Sequence, residues 1–124
     1  MNVTKYRILL VAYCTLILIL SSIPGTSIPK LPFLGWDKLI HFLEYAGLGW
    51  LLVQSLDRKE LKFVTMVIIA GMVFGIFDEL FQYFIPRRIS SVADWFADSA
   101  GLIVGGFLVV SKDIFRKNEL NSKV

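Results

Sequence analysis

Four apolar runs, separated by short polar or proline-rich breaks, leave this chain few folds to choose from. They cover residues 6–23, 36–56, 63–85 and 91–111. The hydrocarbon core of a bilayer is about 30 Å thick and takes about 20 apolar residues as a helix. Runs of this length predict an all-α integral membrane protein, a four-helix bundle that forms one membrane domain over residues 1–112. The remaining residues, 113–124, form a short basic tail. A chain that is 56% hydrophobic and 19% charged, with mean hydropathy +0.67, is too apolar for an ordinary soluble domain.

The breaks between runs have readable causes. The first run follows Lys5 and Arg7 and resembles the apolar part of a signal peptide, but no small-residue cleavage pattern comes before Pro24, so an uncleaved anchor is expected. Its strictly apolar part is short, which predicts recruitment of flanking residues such as Tyr6 or local thinning of the bilayer. Residues 24–35 carry Pro24, Gly25, Pro29 and Pro32 and should lie at the membrane surface. Trp36 suits the interface, and Asp37 can cap the second helix or sit in its first turn. Pro86 stops the third helix, and Ser90-Ser91 precede the fourth.

Orientation follows from the basic residues. With four crossings, Lys5, Arg7, Arg58, Lys59, Lys62, Lys112, Arg116, Lys117 and Lys123 share one side, against Lys30, Lys38, Arg87 and Arg88 on the other. The richer side is cytoplasmic, so both termini are expected there, in a multi-pass protein of a bacterial cell membrane. The net charge of +3 is scattered between apolar runs without a basic and aromatic strip, so no nucleic-acid partner is expected. Cys14 is the sole cysteine, which excludes an intrachain disulfide and a cysteine metal site; it reads as buried filler.

Charges inside membrane helices are costly unless paired or hydrated, which makes them the default functional site. At about 100° per residue, Asp37, His41 and Glu44 fall on one stripe of the second helix. Glu79 and Gln82 share a face of the third with Gly71 and Gly75, and Asp78 falls at the edge of that face. Asp94 and Asp98 share a face of the fourth with Gly101 and Gly105. Both glycine pairs have the G-x-x-x-G form that lets helix backbones approach in lipid, so the third and fourth helices are expected to pack on each other through them. All these acids then gather in one layer, towards the outer leaflet.

Each part also has a structural reading. Ser91-x-x-Asp94 has the form of a capping box, which leaves Asp94 with two possible duties. A lone histidine beside a carboxylate is often only buried and satisfied. Arg87 and Arg88 can flank a membrane hairpin, Lys38 can snorkel, and Asp78 can face a headgroup.

The pattern Asp37-Lys38-x-x-His41-Phe42, Glu79-x-x-Gln82, Pro86-x-Arg88-x-x-Ser91-x-x-Asp94 and Gly101-x-x-x-Gly105 resembles the VanZ-like family of small bacterial membrane proteins. The resemblance covers about residues 36–107 and implies a helical membrane protein whose founding member is associated with resistance to teicoplanin, a glycopeptide-type antibiotic. Two positions depart from the family pattern: Arg87 stands where glycine is usual, and Asp98 where asparagine is usual.

Two functional classes remain open beside a purely structural network. In the first, an enzyme acts on a lipid-linked or cell-wall substrate, with His41, Glu79 and Asp94 as catalytic acid–base groups and Arg88 holding a phosphate. A divalent metal held by His41 and carboxylates belongs to this class. In the second, an anionic lipid headgroup or wall precursor is recognised without turnover, through Asp37, Glu44, Gln82, Arg87, Arg88, Ser91 and Asp98. The sequence favours recognition slightly, since HExxH, GxSxG and phosphate-loop patterns are all absent. Membrane lipids are partners in both.

Overall fold

The computed structural model describes residues 2–27 and 35–123. Within them the chain forms α1 (Val3–Ser21), a single 3-10 turn (Gly25–Ser27), α2 (Trp36–Gln54), α3 (Leu61–Tyr83) and α4 (Val92–Ser122). Most of the surface-linker segment, including Pro29, Lys30 and Pro32, lies outside the described residues.

Three helices, α1, α3 and α4, are long and apolar enough to cross a membrane; their most apolar 18-residue stretches have mean hydropathy 1.8, 2.0 and 1.4. In α2, Asp37, Lys38 and Glu44 interrupt the apolar pattern. Large apolar side chains such as Ile8, Val11, Phe77 and Phe107 stand exposed on the outside, where a bilayer rather than water would be the solvent.

Local chemistry sets the helix ends. The Asn2 side chain accepts from the Lys5 N–H at 3.3 Å and starts α1, which therefore extends back past Tyr6 to gain length. Its end at Ser21 comes three residues before Pro24. Gly35, with φ 89°, precedes α2, so Asp37 sits in the first turn and is not the cap. α3 ends at Tyr83, ahead of Pro86. α4 begins where the Ser91 hydroxyl accepts the Asp94 N–H at 3.2 Å, as the capping pattern predicts. It has no proline to stop it, and continues as helix through the basic tail to Ser122, about 46 Å at 1.5 Å per residue.

The helices alternate in direction. At one end Arg7 reaches the Ser55 carbonyl at 3.2 Å and Asp57 at 2.6 Å, and Lys59 meets Asp113 at 3.0 Å. At the other, Gln82 meets Ser21 and the Gly25 N–H donates to the Pro86 carbonyl at 3.2 Å. α2 and α3 each touch all the other helices, while α1 and α4 do not meet among the described residues. Ile17, Tyr45, Leu48 and Leu102 form the fully enclosed core, with Cys14 packed at its margin.

The closest helix pair differs from the expected one. A Cβ on Gly101 would strike the Phe42 carbonyl and the Ala46 nitrogen, and one on Gly105 would strike the Ala46 carbonyl. From the other side, a Cβ on Gly49 would strike the backbone of Leu102. These glycines therefore bring α4 onto α2, not onto α3. Gly71 and Gly75 of α3 make room for side chains instead: Leu102 and Leu52 at the first, Tyr45 and Trp95 at the second. Trp95 completes this contact by donating its indole N–H to the Met72 carbonyl at 3.0 Å.

Candidate functional site

The α2–α4 contact sets the register of the site. Gly101 lies against the Phe42 backbone, so Asp98, almost one turn earlier on α4, faces His41, the residue before Phe42. His41 Nδ1 is 2.9 Å from Asp98 Oδ1. From α3, Glu79 places Oε1 3.7 Å from the same nitrogen. All three residues are buried, and one donor atom from each lies within 4.8 Å of those of the other two. Asp98 is 0% exposed, yet its Oδ2 has no hydrogen-bond partner among the described residues; the same holds for Glu79 Oε1.

The other oxygen of Glu79 has a different duty. Its Oε2 accepts from the Ser90 hydroxyl at 2.7 Å and from the Ser91 backbone N–H at 3.2 Å. In a complete capping box the acid three residues into the helix would take that N–H. Here an acid from α3 takes it, and Asp94 is left to form an ion pair with Lys38 at 2.5 Å, where Lys38 also contacts Asp37. Lys38 thus bridges the starts of α2 and α4 instead of snorkelling freely. Asp94, placed with the catalytic groups by sequence, meets a lysine; Asp98, placed with the ligand contacts, meets the histidine.

A second polar network lies on the α1 side. The Tyr45 hydroxyl donates to Asp78 Oδ2 at 3.0 Å, and Gln82 donates to Ser21 Oγ at 3.1 Å and to the same Asp78 oxygen at 3.4 Å. Arg88 donates from Nε to Gln82 Oε1 at 3.2 Å and from a terminal nitrogen to the Ile23 carbonyl at 3.4 Å. Asp78 is therefore fully enclosed and does not face a headgroup, because Tyr45 on α2 reaches across to the edge of the α3 face. Gln82, expected beside Asp94 and Asp98, belongs to this second network.

The remaining expected residues are spread around the two networks. Glu44 is half-buried with one enclosed oxygen that has no hydrogen-bond partner among the described residues. Its backbone carbonyl accepts from Tyr13 at 2.9 Å. Arg87 is exposed at the tip of the α3–α4 hairpin with φ 57°, a left-handed conformation that glycine adopts without cost. Gly25 packs so closely on this tip that a Cβ would collide with the Arg87 carbonyl.

Sequence reasoning missed Tyr45, Ser21 and Ser90. Tyr45 had a signal, since it follows His41 by four residues and shares its stripe; Ser21 and Ser90 had none beyond being polar at a helix end or loop.

Chemically, a histidine between two carboxylates can hold and pass a proton. The same three residues form the one group with metal-ligand spacing among the described residues. No curated protein and no solved structure is significantly similar to the chain. A family model described as VanZ/LLP1 matches residues 4–116, nearly the whole sequence. With three helices long and apolar enough to cross a membrane and that match, this is a multi-pass membrane protein of the VanZ/LLP1 family.

Proposed function

We propose that the protein is an enzyme of the bacterial cell membrane, in which His41, Asp98 and Glu79 act on a lipid-linked or cell-wall substrate. The observation that carries this reading is the enclosed His41–Asp98 pair with the free oxygen of Glu79 beside it. Groups placed only for stability would be expected to use up their hydrogen-bonding capacity, since an unpaired buried oxygen costs about 1–3 kcal/mol. Two oxygens of this cluster are left unsatisfied among the described residues, as is Oδ1 of the enclosed Asp78; what sets the cluster apart is the histidine lying beside them. In this reading His41 transfers the proton, Asp98 orients it, and Glu79 faces the reacting group. The helices cross the membrane four times, α2 included, with both termini cytoplasmic and the cluster towards the outer leaflet; the basic asymmetry supports this orientation.

Recognition of an anionic envelope component without turnover is the second reading. Exposed Arg87 at the hairpin tip favours it. Against it, Arg88 is turned inward onto Gln82 and Ile23, and the enclosed layer is rich in acids.

The test compares cells carrying wild-type protein, His41→Gln, Asp98→Asn, Glu79→Gln or Arg87→Gln. Membrane abundance and melting in detergent are measured together with lipid and wall-precursor profiles and teicoplanin susceptibility. The first three variants should accumulate like wild type, and melt like it when all are stripped of metal by a chelator, while losing the envelope change; Arg87→Gln should keep it. Loss only in proportion to folded protein would leave the cluster as scaffold. Loss confined to Arg87→Gln would favour recognition.

A further inference from the structure

We infer that His41, Glu79 and Asp98 hold a divalent transition-metal ion, with zinc as the best fit. The inference goes beyond the reading above: with the ion bound, His41 and Asp98 serve as its ligands in place of a proton-transfer pair, and the ion would be held whether or not the site turns over a substrate.

Spacing is the first ground. Donor atoms about 2.1 Å from one ion lie about 3.0 Å apart at a right angle and about 3.4 Å apart at the tetrahedral angle. His41 Nδ1 is 2.9 Å from Asp98 Oδ1 and 3.7 Å from Glu79 Oε1. These two separations bracket the required ones, and the donor atoms of all three residues lie within 4.8 Å of one another, so side-chain adjustment would seat an ion.

The second ground is independent of spacing. Asp98 is 0% exposed and Glu79 7% exposed, and each keeps an oxygen without a hydrogen-bond partner among the described residues. Glu79 Oε1, one of these, is the oxygen turned towards His41. Such oxygens are what a cation would satisfy.

Charge balance is the third. The ion-pair partner of both carboxylates among the described residues is His41. With both carboxylates ionised, even a protonated imidazole leaves one negative charge uncompensated, and an unpaired buried charge is strongly destabilising. A divalent ion with a neutral imidazole brings the group to zero.

Donor chemistry selects the ion. One imidazole with two carboxylates suits zinc and its neighbours, whereas magnesium prefers oxygen donors and retained water. Three protein ligands leave the fourth position open, as in catalytic zinc sites. Glu79 Oε2, fastened to Ser90 and Ser91, steadies one ligand from outside the group.

Tag-free full-length protein in nanodiscs, stripped with a chelator, is titrated with zinc chloride and separately with magnesium chloride. Bound metal is counted by elemental analysis, and melting is followed in parallel. Zinc should bind one per chain and raise Tm, with magnesium at least tenfold weaker. His41→Gln, Asp98→Asn and Glu79→Gln should each weaken zinc binding at least tenfold, while Asp113→Asn, at the opposite end of the bundle, should not. Should one of the three fail to fold, the other two and the wild-type stoichiometry still decide. Failure of the wild-type protein to take up zinc, or equal binding by all variants, would overturn the inference. Absence of zinc together with loss of the envelope change in His41→Gln removes the metal and leaves the acid–base reading standing. Zinc bound by a protein whose ligand variants keep that change supports the metal and ends the enzymatic reading.

Discussion

Glu79 on α3 accepts the backbone N–H of Ser91, the residue that caps α4, at 3.2 Å. One carboxylate therefore fastens a neighbouring helix start with one oxygen and faces His41 with the other. The two duties can be separated by substitution. In metal-stripped protein, Glu79→Gln keeps an acceptor for Ser90 and Ser91 and should stay within about 1 kcal/mol of wild-type stability. Glu79→Ala leaves both donors without their carboxylate and should cost about 2 kcal/mol. Unfolding in detergent reads both; equal losses would show that the Ser91 contact does not hold α4.

The α2–α4 approach predicts a contrast between glycines. At Gly101 a methyl group would run into the backbone of α2, which cannot move aside without separating the helices. Gly101→Ala should destabilise by about 1–3 kcal/mol, the usual range for overpacking. At Gly75 the nearest atoms are ring atoms of Tyr45 at 3.3 Å and Trp95 at 3.4 Å, and alanine gains about 1 kcal/mol of helix propensity. Gly75→Ala should therefore lie within about 1 kcal/mol of wild type. The reverse order in a melting series would place the tight contact on α3.

Arg87 is held at φ 57°, which costs a residue with a Cβ about 1–2 kcal/mol. Arg87→Gly should be neutral or stabilising by up to about 1 kcal/mol, after the entropy that glycine gains in the unfolded chain. Arg87→Val should be clearly destabilising, and Gly25→Ala more so, because its Cβ would push against the Arg87 carbonyl. Melting temperatures of the three, compared in one detergent, check this order.

Lys38 and Asp94 form a pair of unequal exposure, 38% against 3% for the side chains. Lys38→Met strands an enclosed carboxylate and should cost about 1–3 kcal/mol, less than a fully buried pair because water reaches the lysine. Adding Asp94→Asn to Lys38→Met should recover most of that loss. A double-mutant cycle with no coupling would mean that the bridge between the helix starts contributes nothing.

Topology is read by reporter fusions. Fusions at Lys59 and Asn121 should report cytoplasm, and one at Ser27 should report the outside. The opposite pattern would move the His41 layer to the inner leaflet.

Much of this arrangement was legible in the residues. Apolar run length and the positions of Pro24, Pro86 and Ser91 located the helices, and the 100° rotation per residue placed His41, Glu79 and Asp98 on faces that could meet. What could not be read was which faces meet. A G-x-x-x-G pair states that a backbone can come close, not which helix it meets, and the decisive complement, Gly49 on α2, sits outside any such pair. Asp78 was ambiguous for a related reason: at the edge of a face, its environment is decided by whatever lies opposite, and Tyr45 lies there. Arg87 was visible as a departure from glycine, but its cost became clear only with its backbone angle.

The His41–Asp98 contact joins residues 57 positions apart in the chain. Translation at about 5–20 residues per second puts roughly 3–11 s between the two residues. When α2 leaves the ribosome, Asp94 and Asp98, the α4 partners of Lys38 and His41, do not yet exist. On the four-crossing topology proposed above, the helix least suited by composition to enter lipid alone is made second of four, and its polar stripe lacks its α4 partners until α4 arrives. Biogenesis, before any chemistry, is where a defect in this layer would first be felt.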